Sequence, residues 1–299
     1  MLVDKIGEFG LIERFRKAIK TDASVVKASG DDCAVLKPVK DKYQLFTCDM
    51  IVEGVDFTLK DNPCLVGRKA LAVSISDIAA CGGTPSHAVV SFGIPKNTSV
   101  SYIDRVAKGL FSLAREFKVN IVGGDISVAP KVVIDTSLLG VVEKDCLVLR
   151  NGAKAGDIIF VTGQLGGSIT GKHLKFTPRI KEARYLVKHL KINAMIDISD
   201  GLLADLGHIL QESRAGAVIY EAMLPVSRQA KGLNDALYSG EDFELLFTLS
   251  PLEAKKLLKK ELLRFYKPIG KIVEKRSGLK LIGRDNRERN VRPKGYQHF

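Results

Sequence analysis

The chain has 299 residues, 45% of them hydrophobic, and a formal net charge of +12. That length and apolar content suit two cores of ordinary size. No run approaches the roughly 18 consecutive apolar residues of a membrane helix, and Cys33, Cys48, Cys64, Cys81 and Cys146 form no CxxC pair, which sets aside a zinc knuckle and a disulfide framework.

The opening MLVDKIGEFG carries acids where a secretion signal has a basic and then an apolar stretch, so a soluble, cytoplasmic chain is expected. GLIERFRKAI then spaces Leu11, Ile12, Phe15 and Ile19 as an amphipathic helix. DKYQLFTCDMIVEGVDF is β-branched and aromatic strand material around Asp49. Asn62 and Pro63 are N-cap and N1 residues for a helix through LVGRKALAVSISDIAACGG. HAVVSFGIP follows as a strand, SVSYIDRVAKGLFSLAREF as a helix with one apolar stripe, VNIVGGD as a short strand and KVVIDTSLLGVVE as a long one.

KDCLVLRNGAKAGD is polar and contains glycine, and divides the chain into residues 1–145 and 146–299. The second part predicts strand DIIFVTG, helix KEARYLVKHL, strand AMIDIS, helix DGLLADLGHILQES, strands AVIYEAML and FELLFTL, helix PLEAKKLLKKELLRF and strand KPIGKIVE. Irregular alternation without a fixed repeat indicates two α+β domains with mostly antiparallel sheets. Residues 252–299 hold 15 Lys and Arg against 5 acids, so ten of the twelve excess positive charges sit at the C-terminal end. There the lysine-rich helix reads as a solvated face and not as a reader of nucleic acid.

Acids recur at the borders of apolar segments: Asp31 and Asp32 in SGDDCAVL, Asp49 in CDMIVEG, Asp77 in AVSISDIAACGG, Asp125 in NIVGGD, and Asp197 and Asp200 in AMIDISDGL. Taken singly, Asp31 or Asp32 suits a turn after Gly30, Asp200 a helix cap and Asp49 a strand end. Asp77 stands on a helix of small apolar residues nearly all round, where an unpaired carboxylate is costly and something positive is expected opposite. Gly123 and Gly124 would let backbone approach a ligand beside Asp125. If these acids converge, each pair at about 4 Å repels by roughly 4 kcal/mol at an effective dielectric near 20, a penalty that hard cations remove. An oxygen-only donor set favours Mg²⁺ or Ca²⁺, and Mg²⁺ is usually shared between carboxylates and substrate phosphates. GGSITGKH after DIIFVTG fits the start of a P-loop, but His173 replaces the Ser or Thr that ligates Mg²⁺, so a surface turn or ligand-contacting loop is the better expectation.

The ordered blocks DDCAVL, TCDMIVEGVDF, KALAVSISDIAACGGTP, VGGD, LRNGAKAGDIIFVTGQLGGS, AMIDISDGL and GEDFELLF resemble the thiamine-monophosphate kinase family, part of the superfamily of aminoimidazole ribonucleotide synthase, over nearly the whole chain. The resemblance implies a two-domain α+β fold whose N-terminal sheets pair across a homodimer. It also implies direct transfer of the ATP γ-phosphoryl group to thiamine monophosphate, aided by several Mg²⁺ ions. By the same resemblance Asp32, Thr47, Cys48, Asp49, Asp77, Asp125, Asp197 and Asp200 stand at metal positions, with Asp49, Asp77, Asp125 and Arg150 as the catalytic set. Tyr102, Gly124, Asp125, Arg150 and Ser199 stand at nucleotide positions, and Asp56, Glu241 and Tyr296 at thiamine positions. Cys48 replaces the family's usual hydroxyl residue and Asp56 a common histidine, and LGGS lacks the aspartate frequent after its first glycine.

No covalent phosphoenzyme is required: His87, His173, His189, His208 and His298 lie in no paired acid motif and are expected to be solvated or core residues. Another ATP-dependent synthetase of the superfamily is the alternative enzyme, and a basic nucleic-acid-binding protein with structural acids is the alternative from another class. Neither nucleic acid nor a membrane is expected as a partner.

Overall fold

The computed structural model describes residues 3–18, 20–259 and 265–298. Helix α1 (Val3–Ala18) opens the chain with a kink at Gly7 (φ 67°), and Ile19 of its expected stripe lies outside the described residues. Strands β1 (Val25–Lys27), β2 (Ala34–Val39) and β3 (Lys42–Val52) lead to helix α2 (Pro63–Ala80). As expected, Asn62 accepts the Cys64 N–H at 2.9 Å and Pro63 opens the helix. Strand β4 (Thr84–Ile94), helix α3 (Val100–Phe117) and strands β5 (Asn120–Val128) and β6 (Val133–Glu143) complete a six-stranded sheet of order β1-β2-β3-β6-β4-β5, antiparallel except for β4 with β5.

The C-terminal sheet comprises β7 (Ile158–Thr162), β8 (Ile192–Asp197), β9 (Ala215–Tyr220), β10 (Leu245–Leu249), β11 (Tyr266–Glu274), β12 (Leu279–Ile282) and β13 (Glu288–Asn290). Their order is β13-β12-β9-β11-β7-β10-β8, and only β9 with β12 runs parallel. Helices α4 (Lys172–Lys175), α5 (Ile180–His189), α6 (Leu202–Ser213), α7 (Leu233–Tyr238) and α8 (Pro251–Leu258) surround it. Residues 260–264 of the expected lysine-rich helix lie outside the described residues, while Lys255 and Lys256 of α8 are solvated as expected.

The alternation of strand side chains produces two cores. Ile159, Val161, Ala194, Ile196 and Leu246 point from the C-terminal sheet towards α6, against Leu203, Leu206 and Leu210. Their neighbours Phe160, Met195 and Phe247 point the other way and join α5, α8 and α2 in one cluster that runs on into the N-terminal sheet. Helix α2 is therefore enclosed from both domains, which is why small residues occupy nearly all its faces. It also crosses α3 at backbone contact: a Cβ on Gly67 would lie 1.8 Å from Val106 O, and one on Gly109 1.8 Å from Cys64 O.

Helix α1 differs from expectation in its role. None of its described side chains joins either core, Ile12 and Phe15 remain exposed, and the helix lies across the cavity described next.

Candidate active site

A cavity of about 670 Å³ opens between the domains, lined by residues that include Asp31, Asp32, Thr47, Asp49, Asp77, Arg150, Ser199, Asp200 and Asp205, with Glu8, Phe9 and Ile12 of α1 along one side. Asp32, Asp77 and Asp197 bring carboxylate oxygens within 4.8 Å of one another. The positions come from β3, the interior of α2, the loop before β2 and the end of β8, so acids far apart in sequence meet where the two sheets approach α2.

Several of these acids are held by local partners. Thr47 donates its hydroxyl to Asp77. Ser76 Oγ donates to Asp197 Oδ2 at 2.5 Å. Arg150 donates to both oxygens of Asp32, from Nε at 3.3 Å and Nη2 at 2.9 Å, and its backbone N–H reaches Asp31 at 3.1 Å. Burial works against the Arg150 charge, but Asp32 and Asp31 outweigh it and keep its pKa above the ordinary value. Asp49 Oδ2 is buried with no hydrogen-bond partner among the described residues.

Asp49, Asp77, Asp197 and Asp200 are poor acids. Burial, only partly opposed by Ser74 and reinforced by Asp135 and Asp32, raises Asp49 to about 6. Burial and then Asp32 raise Asp197 to about 8, and burial with Asp49, Asp197 and Asp32 pushes Asp77 well above the usual range. Asp200 is raised to about 6 by burial and by Glu8. Among the described residues Asp77 hydrogen-bonds no cationic side chain: its bond comes from the neutral Thr47 hydroxyl, and the Arg150 charge acts on it through space. An orphaned buried oxygen, a donor set made of oxygens and mutually raised carboxyl pKa values fit a hard divalent cation.

Asp200 is not the cap of α6. Asp205 Oδ2 accepts the N–H groups of Asp200 and Gly201 at 3.1 and 3.0 Å, leaving the Asp200 side chain to the cavity.

Register corrects two other expectations. Asp49 and Asp125 do not end strands but lie within them. Asp49 pairs in a row with Thr136, Val90 and Gly124, so Asp125 falls one residue out of that row and points to the opposite, open face of the sheet. Three strand spacings of about 4.8 Å put it roughly 14 Å from Asp49. Asp125, Gly124 and Tyr102 thus lie outside this chain's acid cavity. The sheet itself requires glycine at 124, since a Cβ there would meet Val90 O at 1.9 Å. The same alternation directs Cys48 to the exposed face, away from Thr47 and Asp49, although it touches the cavity rim.

A second group of residues adjoins the cavity. Glu241 lies on the loop before β10 in a left-handed conformation (φ 65°), as does Phe243 (φ 49°), a backbone that costs non-glycine residues about 1–3 kcal/mol each. Lys69 Nζ donates to Glu241 Oε1 and, at 2.8 Å, to Asp56 O, and it lies 3.3 Å from His173 Nδ1. His173 is buried, as one of the two expected roles has it, and its Nδ1 is 3.0 Å from Glu241 Oε2, an acid 68 residues away in sequence. Burial opposes the Glu241 charge, yet His173 and Lys69 hold its pKa below the ordinary value. The Asp56 carboxylate accepts the Val52 N–H at 2.7 Å, closing its own turn. Tyr296 is half exposed, and its backbone N–H bonds Asp200 O at 2.8 Å.

The P-loop-like stretch wraps protein carboxylates. Gly166 N–H donates to both oxygens of Asp242 (3.1 and 2.8 Å), and Lys172 Nζ donates to Glu244 Oε1 at 2.8 Å. Lys69, His173, Ser76 and Asp205 were not identified from sequence. A lysine in the middle of the apolar helix was the available signal, and the other three become legible only through their partners.

Residues 30–142 match the family model described as AIR synthase related protein, N-terminal domain, and residues 154–282 match its C-terminal domain. The chain belongs to the thiamine-monophosphate kinase family. It is 37% identical to the thiamine-monophosphate kinase of Buchnera aphidicola subsp. Schizaphis graminum, over 98% of each chain, and 34% identical to that of Aquifex aeolicus over the full length of both. A solved structure described as AaThiL complexed with AMPPCP and TMP superposes with a TM-score of 0.88 at 33% identity, covering 100% of this chain and 99% of the other. Family membership makes the chain one of a family of kinases with the two-domain AIR synthase fold. Among the described residues no helix is long and apolar enough to cross a membrane.

Proposed function

We propose that this protein transfers the γ-phosphoryl group of ATP in line to thiamine monophosphate, giving thiamine diphosphate and ADP. The observation that carries this is the cluster of Asp32, Asp77 and Asp197 in the cavity that Asp49 also lines, with Asp49 Oδ2 lacking a hydrogen-bond partner among the described residues, in a chain that aligns end to end with a relative solved with AMPPCP and TMP. The likeness to the thiamine-monophosphate kinases favours this activity over that of another synthetase of the superfamily.

Phosphoryl transfer has a loose transition state with little covalent work for the protein, so alignment and charge stabilisation dominate. Here the acceptor is itself an anion. Asp32, Thr47, Asp49, Asp77, Asp197 and Asp200 would hold Mg²⁺, which when bound neutralises charge on donor and acceptor phosphates. Arg150 is already oriented by Asp32 and offers a planar guanidinium at the cavity wall, and Ser199 lines the same wall for the nucleotide. Glu241, Asp56 and Tyr296 would receive the cationic thiamine body at the far end.

The open face of the N-terminal sheet leaves Phe46, Met50, Val89 and Leu139 exposed, which supports a homodimer paired through that face. Asp125, and with it the catalytic role expected of it, would then lie at the interface instead of in its own chain's cavity. A cytoplasmic location and a division of the chain near residue 145 complete the proposal.

The decisive assay incubates pure protein with ATP, MgCl₂ and thiamine monophosphate. Stoichiometric ADP and thiamine diphosphate are expected, and ATP left intact under these conditions would refute the activity.

A further inference from the structure

Lys69 is completely buried, at 0% exposure, on a helix otherwise packed with small apolar and hydroxyl side chains. An ammonium in that position is tolerated only where every contact compensates it. Its contacts are Glu241, the Asp56 carbonyl and His173, which come from three different segments. None of these partners is needed to hold α2, which is already enclosed by both domains. The loop, in contrast, needs Lys69: Glu241 sits in a strained left-handed conformation that persists only when its surroundings fix it.

Seven residues along the same helix, Ser76 holds Asp197. Seven helical steps turn the chain about 20° short of two full turns and advance it about 10.5 Å, so both side chains leave from one face. The segments they hold are joined to each other. Glu241 N–H donates to Ser199 O at 2.7 Å, Phe243 N–H to Ile198 O at 2.8 Å and Ile198 N–H to Glu244 O at 2.7 Å. One rigid helix therefore grips a single piece of the C-terminal domain at two points, one behind the acid cluster and one at Glu241.

From this geometry we infer that Lys69 is a positioning residue for the phosphate acceptor, locking Glu241 at a set distance from the acid cluster so that an acceptor held at Glu241 presents its phosphate to the acids. The inference rests on the kinase activity proposed above and on Glu241 holding the thiamine body. The Lys69 and Glu241 charges cancel, which leaves the Asp56 carboxylate beside them to offset a cationic acceptor. Lys69 touches no substrate and acts through its charge on Glu241, its bond to Asp56 being to the backbone carbonyl.

The test compares the two Michaelis constants. With wild-type protein forming thiamine diphosphate, Lys69→Met is expected to raise KM for thiamine monophosphate about tenfold or more, as loss of one partner of a buried charge pair commonly does, with KM for ATP changed by less than about twofold. In a Glu241→Gln background the same substitution should add little, because its route of action is already removed. Equal changes in both constants, no change in either, or a full additional loss in the Glu241→Gln background would overturn the inference while leaving the kinase activity intact. Absence of thiamine diphosphate with the wild-type protein would instead remove the activity and, with it, this role. If Lys69→Met does not fold, Lys69→Gln keeps a donor for the Asp56 carbonyl, and the same split between the two constants decides.

Discussion

Ser76 Oγ donates to Asp197 Oδ2 across 2.5 Å, joining helix α2 of the N-terminal domain to the end of strand β8 in the C-terminal domain. This bond lowers the cost of charge on a carboxyl that burial and Asp32 otherwise raise to about 8. Ser76→Ala should therefore leave Asp197 a weaker ligand. Outer partners of metal ligands commonly contribute 10- to 100-fold in affinity, so the Mg²⁺ concentration for half-maximal activity is expected to rise by about tenfold. A Mg²⁺ titration that superposes on wild type would show that the bond serves packing alone.

Asp49→Asn should remove turnover and stabilise the metal-free protein. Asp49 Oδ2 has no partner among the described residues, and Asp135, Asp32 and Asp56 all repel its charge. Replacing the carboxylate with an amide relieves that repulsion and supplies a donor to the neighbouring acids. ADP release and Tm in the presence of a chelator measure the two effects. A lower Tm in chelator would contradict the account of the cluster as a repelling nest.

The same acids set a pH dependence of stability. Asp49, Asp200 and Asp197 have folded pKa values of about 6, 6 and 8 against an unfolded value of 3.8. Between those limits the folded chain binds more protons than the unfolded one, so the stabilisation is complete below the unfolded pKa and is lost as pH rises through the folded values. The Tm of metal-free protein is expected to fall from about pH 5.5 to about pH 8.5, and the increase in Tm on adding Mg²⁺ should be larger at the higher pH. Thermal scans at both pH values, with chelator and with Mg²⁺, check the sign. A metal-free Tm that rises over this interval would reverse it.

Glu244 stands three residues from Glu241 but does different work. Its carboxylate is buried and accepts from Thr162 at 2.7 Å, from Lys172 at 2.8 Å and from Arg179 through both oxygens at 2.7 Å. Glu244→Gln removes the acid that two cations share, leaving Arg179 with Glu182 at 3.4 Å and Lys172 with Asp242 at 4.0 Å, a change that costs about 3 kcal/mol. In a chain of this length that corresponds to a Tm lower by roughly 10 °C, with both Michaelis constants retained in the folded fraction. A selective rise in KM for thiamine monophosphate would move Glu244 into the binding site.

Local order was legible wherever period and capping chemistry agreed. The Asn62-Pro63 start of α2, the single stripe of α3 and the alternation in β3 and β6 each became the element their pattern predicts. Less was legible where a short segment depends on its neighbours. Strands β12 and β13 carry weak patterns and exist by pairing with β9 and with each other. GGSITGKH met a sequence template for phosphate, but the Gly166 N–H and Lys172 found Asp242 and Glu244 first.

Residue chemistry along the chain was enough to determine that acids interrupt apolar segments, that their oxygens suit a hard cation, and which family the ordered blocks resemble. Only tertiary structure decided which acids meet. A one-residue step in a strand reverses the face of a side chain, so register separated Asp125 from Asp49 and turned Cys48 outward. Burial between two domains likewise made Lys69 the counter-charge of a residue 172 positions away. Linear patterns report the period of an element, whereas charge pairing depends on distances that exist only after the sheets have closed on α2.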